Sequence, residues 1–329
     1  MGIKETARRV LPAPVFGVLK RANRRARLEA ERMSSRQRRV NAAIVVPGLP
    51  RSRRQAGSVW GVCMARNEAD IIGHSVRHLL EQGVAGVIVV DNLSTDDTRA
   101  VLDDLAAADP RVHVGTDSEV KYDQDLKTSF LAHLAWRAGA DWVIPFDADE
   151  FWYAADATLS EFLAGQSADE LWCDYRNVYP MEEDGALRLG SGRAVQVDRL
   201  ASSWMRVAFR ARSWVWVGFG NHALRDRDRV PALGLHMLHF SYRSLAQYSR
   251  KADVGVAALE AAGRDSSIAT HWRAWAALSD DERAARWSAY LRGDAGDMTD
   301  AFVRADRRVI ADPTGWRTWD PEHLLRDGA

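Results

Sequence analysis

From residue 59 onward, short apolar runs alternate with segments whose apolar positions recur every three to four residues. Residues 59–64 are a compact apolar run, the pattern of a strand buried on both faces. A polar loop at 65–70 then leads into a helix over 71–82. Its Ile72, Val76, Leu79 and Leu80 share one face, and Gly83 follows as a stop. Residues 86–90 read as a second strand ending in a polar turn at 91–97. There Ser94 and Asp97 have capping-box spacing for a helix reaching Leu105. A third strand at 112–114 precedes a helix over 123–138. A fourth, with Trp142, Val143, Ile144 and Phe146, runs into three acids within four positions: Asp147, Asp149 and Glu150. This β-α-β-α-β-α-β order predicts an α/β fold: a mostly parallel sheet with right-handed crossovers and helices on both faces. Ligands bind such sheets outside the carboxyl ends of the strands, here 65–70, 91–97 and 147–150.

Beyond residue 153 the pattern is less regular. It predicts a short helix at 159–164 and strands at 170–178, 193–197, 203–210, 213–219 and 233–240. Helices follow at 245–262 and 280–291, then an aromatic, turn-rich end at 312–319. Three parts follow: a basic flexible tail over 1–56, an α/β domain over 57–245 and a helical extension over 246–329. The 329 residues, 47% of them hydrophobic, suffice for one large domain with an appendage. Net charge is zero, yet residues 1–54 hold fifteen Lys/Arg against Glu5, Glu29 and Glu31, leaving +12 there and −12 on the remainder. A basic helix over 15–33, with Val15, Val18, Leu19 and Leu28 as a thin apolar face, suits an anionic membrane surface. Phe16 is the lone aromatic among these cations, which argues against nucleic acid as the partner. Cys63 and Cys173 form neither a metal spacing nor a disulfide framework, as expected of a reducing compartment. With no run long enough to span a bilayer and no secretory leader pattern, the expected location is cytoplasmic, peripheral at the inner membrane face if the tail docks.

Acids crowded at a buried strand end repel one another, and neighbouring apolar rings raise that cost. A hard divalent cation offsets it, and Asp147 and Asp149 alternate so that both can face one ion.

Three motifs then stand in order: Ala65-Arg-Asn-Glu, Asp91-Asn-Leu-Ser-Thr-Asp-Asp-Thr and Asp147-Ala-Asp-Glu-Phe. Together they resemble family 2 glycosyltransferases of GT-A fold, in the branch with an Asp-x-Asp-Glu-Phe motif. His239-Phe-Ser-Tyr-Arg-Ser-Leu-Ala-Gln-Tyr-Ser-Arg-Lys251 resembles the same branch, and the resemblance covers about 59–255. It implies a nucleotide-sugar donor, a glycan or other hydroxyl acceptor, and Mn²⁺ or Mg²⁺ to neutralise the leaving diphosphate. Asp149 is then the direct metal ligand, Asp147 touches ribose or metal, and His239 is a third ligand or a phosphate contact. Asn67, Glu68 and Asp91 line the nucleotide pocket, Arg243 and Lys251 clamp phosphates, and Gln124 or Lys127 reaches the donor. Asn92, Ser94 and Asp96 read as turn and cap residues. His236 lies three residues before His239, an odd strand offset that turns it to the other face. The downstream Glu-Asp pair usual in the family is not evident. Glu150, Asp198, His222 and Asp226 are the candidates for the base of an inverting transfer, and Gly218-Phe-Gly-Asn-His222 resembles a loop near the acceptor. Trp152, Trp214 and Trp216 are candidates for stacking on sugars. Trp272, Trp275, Trp287, Trp316 and Trp319 read as packing for the C-terminal helices. Two other readings stand beside this one. A nucleotidyltransferase requires a glycine-rich phosphate loop after the first strand, which 65–70 is not. A non-catalytic nucleotide-sugar-binding scaffold tethered by its tail is opposed by the intact Asp147 and Asp149.

Overall fold

The computed structural model describes residues 13–226, 234–294 and 303–325, with side chains from residue 21 onward. Val15, Val18 and Leu19 as an apolar face, and the start of the 233–240 strand, lie outside the described side chains and residues.

The centre of the molecule is a parallel sheet of β2 (Val59–Ala65), β3 (Gly86–Asp91), β4 (Val112–Asp117) and β5 (Trp142–Pro145), in spatial order β4-β3-β2-β5. Val62 pairs with Ile88 on one side and Pro145 on the other. Successive residues of each strand feed opposite cores. Val59 and Cys63 of β2 face α3 (Ile72–Glu81) and α4 (Thr98–Ala108), while Trp60 and Val62 face α5 (Gln124–Arg137). Ile72, Val76, Leu79, Leu102 and Leu105 close the first core. Leu126, Leu131, Ala132 and Ala135 close the second. Burial on both faces explains why these strands read as unbroken apolar runs.

Past β5 the sheet turns mixed. It continues through β9 (Arg206–Arg210), β7 (Glu170–Pro180) and β10 (Leu235–His239) to β6 (Glu150–Ala154), with α6 (Leu159–Ala164) alongside. β7 and β10 are parallel; the other pairings here are antiparallel. β8 (Val195–Asp198) pairs with β7 and with β11 (Arg307–Ile310), a strand absent from the sequence reading. Helices α7 (Leu245–Ala261), α8 (Thr270–Ala276) and α9 (Asp280–Arg292) pack through Tyr242, Tyr248, Trp275, Trp287 and Tyr290. Of the tryptophans assigned to this packing, Trp316 and Trp319 instead join the main core, against Tyr153.

Two local expectations need correction. Residues 213–219 are not a strand: Val217 makes one isolated bridge to Leu224, and Phe219–Asn221 is a 3₁₀ turn. Ser94 and Asp97 do not form a capping box. The helix begins at Thr98, whose N–H goes to Asp96 Oδ1 at 3.0 Å, while Ser94 Oγ accepts from the Asn67 N–H at 3.0 Å.

The basic segment is not a tail. It forms α1 (Ala13–Arg32), α2 (Ser35–Ala43) and β1 (Ile44–Val45), and β1 adds an antiparallel edge to β4. Leu28 packs against Trp214 and Trp216, and Val40 and Ile44 enter the second core. The cations of 36–54 reach acids of the body: Arg36 pairs with Asp123, Arg39 with Glu119 and Arg54 with Asp141. Those partners lie 80–87 residues downstream, so a local charge count sees only unbalanced arginines.

Candidate active site

The carboxyl ends of β2, β3 and β5 open into a cavity of about 580 Å³, roofed by α7 and by residues 267–272 before and at the start of α8. Strand ends bring Glu68 and Asp149 to its floor, and α7 brings Lys251 down from the roof.

Asp149 is buried, and its two oxygens have different company. Oδ2 receives Lys251 Nζ at 2.5 Å and lies 3.5 Å from a terminal nitrogen of Arg243. Oδ1 has no hydrogen-bond partner and faces His239 Nε2 at 3.7 Å. Burial opposes the charge, but Lys251, with Arg243 beside it, holds this carboxyl far below the usual carboxylate range. Lys251 and Arg243 also reach Glu68, Lys251 at 3.6 Å, and Arg243 Nε meets Asp70 at 2.7 Å. Burial pushes the Glu68 carboxyl up and Arg243 pulls it back. The two cations therefore tie the loop after β2 to the acid motif after β5.

The state of His239 follows from its neighbours. Asp198 Oδ2 accepts both the Asn177 Nδ2–H at 3.0 Å and the Asn177 backbone N–H at 3.2 Å. That contact turns the Asn177 amide oxygen toward His239 Nδ1, 3.1 Å away. An amide oxygen only accepts, so the proton sits on Nδ1 and Nε2 offers a lone pair. Burial lowers the ring to about 3, keeping it neutral. Asp149 Oδ1 and His239 Nε2 are thus two acceptors facing each other at the cavity floor, with no proton between them. This fits a cation that takes one oxygen and one nitrogen ligand, and a neutral imidazole favours Mn²⁺ over Mg²⁺.

The three-ligand set Asp147, Asp149 and His239 is not assembled. Among the described residues, no group of three or more His, Cys, Asp or Glu side chains is arranged to hold a metal. Asp147 lines the cavity but is committed elsewhere: Oδ1 accepts from Gln124 Nε2 at 3.1 Å and Asn221 Nδ2 at 3.3 Å, and Arg206 lies 3.9 Å from Oδ2.

Glu150 does not reach the cavity. It sits at the start of β6 with its carboxylate turned into the core. There it takes Arg206 Nε at 2.6 Å, the Asp147 N–H at 3.0 Å and Trp152 Nε1 at 3.3 Å. Burial pushes it up to about 7 despite Arg206. Its place is under Arg206, and the base reading for it is withdrawn. His222 does line the cavity. Its Nδ1 lies 2.7 Å from the Met205 carbonyl, which only accepts, and 3.0 Å from an Arg206 terminal nitrogen, which only donates, so these two contacts favour opposite tautomers. Gly220 (φ 71°) passes under that ring: a Cβ would come within 2.6 Å of His222 Nε2.

Other candidates fall outside the cavity lining. Asp91 Oδ1 accepts the Ser94 N–H at 3.3 Å as a turn residue. Lys127 is buried against Asp117 at 2.6 Å. Asp198 lies behind Asn177, raised to about 6 by burial. Asp226 is off the lining too, its carbonyl accepting from Arg24 at 2.9 Å. Trp152, Trp214 and Trp216 are buried packing residues. Asn67 lines the cavity, its φ of 55° held by Thr95 N–H donating to Oδ1 at 2.7 Å. His236 points elsewhere, bonded to Asp174 at 2.8 Å and stacked on Trp319. The sequence reading passed over Asn177, Arg206 and Trp204. Arg206 had one signal, a lone cation beginning the apolar run 207–209.

A cavity with acids and paired cations at the carboxyl ends of a parallel sheet lies where α/β folds bind their ligands. Residues 62–171 match glycosyl transferase family 2. That match spans about a third of the chain, from the first central strand to the start of β7. No curated protein matches it. Solved structures similar to it include *S. aureus* TarS residues 1–349, at 12% identity over 72% of this chain and 71% of that one, TM-score 0.35. The mannosyltransferase PcManGT from *Pyrobaculum calidifontis*, in complex with GDP-Man and Mn²⁺, is 17% identical over 76% and 80%, TM-score 0.34. Glucosyl-3-phosphoglycerate synthase from *Mycobacterium tuberculosis*, with Mn²⁺, UDP and glucosyl-3-phosphoglycerate, is 21% identical over 36% and 44%, TM-score 0.27. The chain thus spans less than half the length of the mycobacterial structures it matches. Scores this low carry no inference about substrates.

Proposed function

We propose that this protein is a glycosyltransferase that moves a sugar from a nucleotide-sugar donor to a hydroxyl of a glycan or similar acceptor, with inversion, assisted by Mn²⁺ or Mg²⁺. The observation that carries the reading is the proton-free gap between Asp149 Oδ1 and His239 Nε2, flanked by Lys251 and Arg243. Asp149 and His239 would hold the ion, which neutralises the diphosphate as it leaves. Lys251 and Arg243 add fixed positive charge beside it, held in place by Asp149 and Glu68 before any ligand arrives. Asn67 and Glu68 face the nucleoside end of the donor. His222, on the cavity wall, takes the proton of the acceptor hydroxyl. A single base with no nucleophile is the requirement of an inverting transfer, and Glu150, locked under Arg206, supplies no nucleophile. Exposed Arg21, Arg25 and Arg27 on α1 would hold the enzyme peripherally on an anionic membrane surface. Turnover of UDP-, GDP- and dTDP-sugars with Mn²⁺, with product configuration read by NMR, tests the reaction. Inversion at the anomeric carbon is expected, and His222→Ala should lower kcat about 10²–10⁴-fold. Retained configuration, or an unchanged kcat in that variant, would contradict the assignment of His222.

A further inference from the structure

Trp204 is the exposed tryptophan of this chain, 52% accessible, and it stands on the cavity wall. Eight of the others, Trp142 and Trp152 among them, are buried. A large ring left in water on a cavity wall keeps its apolar face free for a ligand.

The ring is held in place. It precedes β9 by two residues, its backbone N–H donates to Ser202 Oγ at 3.2 Å, and it lies 5.1 Å from the His222 ring at 46°. Arg206 beside it is fixed by Glu150 and lies 5.2 Å over Tyr175. Asp147, itself held by Asn221 at 3.3 Å, lines the same cavity. One flat apolar face is thus bordered by a guanidinium, an imidazole and a carboxylate. That combination suits a pyranose ring, which offers a face of C–H groups and a rim of hydroxyls. A small acyclic acceptor has no face for the tryptophan, and a lipid tail has no use for the polar border.

We propose that Trp204 is the platform of an acceptor subsite, and that the acceptor ends in a pyranose stacked on it with the reacting hydroxyl toward His222. This rests on the preceding assignment of His222 to the acceptor side. Saturation-transfer NMR on the full chain tests it, using methyl gluco-, galacto- and mannopyranosides as probes and glycerol as the ring-free control. In parallel, thermal shifts with UDP, GDP and dTDP plus Mn²⁺ report the donor end. The expected result is saturation of the ring C–H protons of at least one pyranoside and none of glycerol. The signal should drop at least fivefold in Trp204→Ala and survive in part in Trp204→Phe, both folding with wild-type melting temperatures. No pyranoside signal in the wild type, or an undiminished one in Trp204→Ala, overturns the subsite. Pyranoside binding without any nucleotide shift would instead overturn the donor reading and leave the subsite standing.

Discussion

Asp149 stays charged in a dry site because Lys251 and Arg243 surround one oxygen, while the other is kept open by the way His239 is held. Asn177 does the holding, by accepting from Nδ1. Asn177→Leu keeps the volume but removes that acceptor, freeing the ring to change tautomer. Mn²⁺ affinity, read from the EPR signal of free Mn²⁺, should fall about 10–100-fold; unchanged affinity would mean the ring is set by something else. Asp149 and His239 were legible in the sequence, because a strand end and a family-like motif mark both. Asn177 was not: its partners Asp198 and His239 lie 21 and 62 residues away, and nothing local ties them together. Asp91 was misplaced for the complementary reason. It does end a strand, but its carboxylate turns back to the Ser94 N–H instead of into the cavity.

Among elements, α3 meets the strand that follows the acid motif through one histidine. His78 Nε2 lies 2.7 Å from the Trp152 carbonyl, and its ring packs against Phe151 and Tyr153. Burial lowers it from 6.5 to about 4. The unfolded chain therefore takes up a proton between those values that the folded one refuses. The neutral form's contribution is complete above pH 6.5 and lost as pH falls to about 4, a span worth about 3 kcal/mol. His78→Phe should melt lower at pH 7 and lose this part of the acid slope; an unaltered slope would place the titration elsewhere. The first two helices make a second case. Removing residues 1–46 strips Leu28, Val40 and Ile44 from their contacts, each worth about 1.5–3 kcal/mol, and bares the β4 edge. The truncated protein should melt at least about 10 °C lower; wild-type melting would restore the reading of a dispensable tail. β2 to β5 were legible because strands buried on both faces announce themselves as apolar runs. The 213–219 run carries the same signal for a different cause: Trp214 and Trp216 are buried under α1, not by sheet pairing.

Across the whole molecule, Arg36, Arg39 and Arg54 of the +12 segment 1–54 pair with acids of a body carrying −12. Likewise the C-terminal helices are part of the site: a boundary at 245 would run between Arg243 and Lys251, which clamp the same two acids. Among the described residues no helix is long and apolar enough to cross a membrane. The proposed function turns on Asp149 and His239 forming a metal-assisted donor site under Lys251. Calorimetric titration of UDP, GDP and dTDP, with Mn²⁺ and again with EDTA, on the wild type and Asp149→Asn tests this most directly. One of these nucleotides should bind the wild type, chelation should weaken it, and Asp149→Asn should remove the metal-dependent part. No binding by any of the three, or equal binding by the variant with and without Mn²⁺, would contradict it.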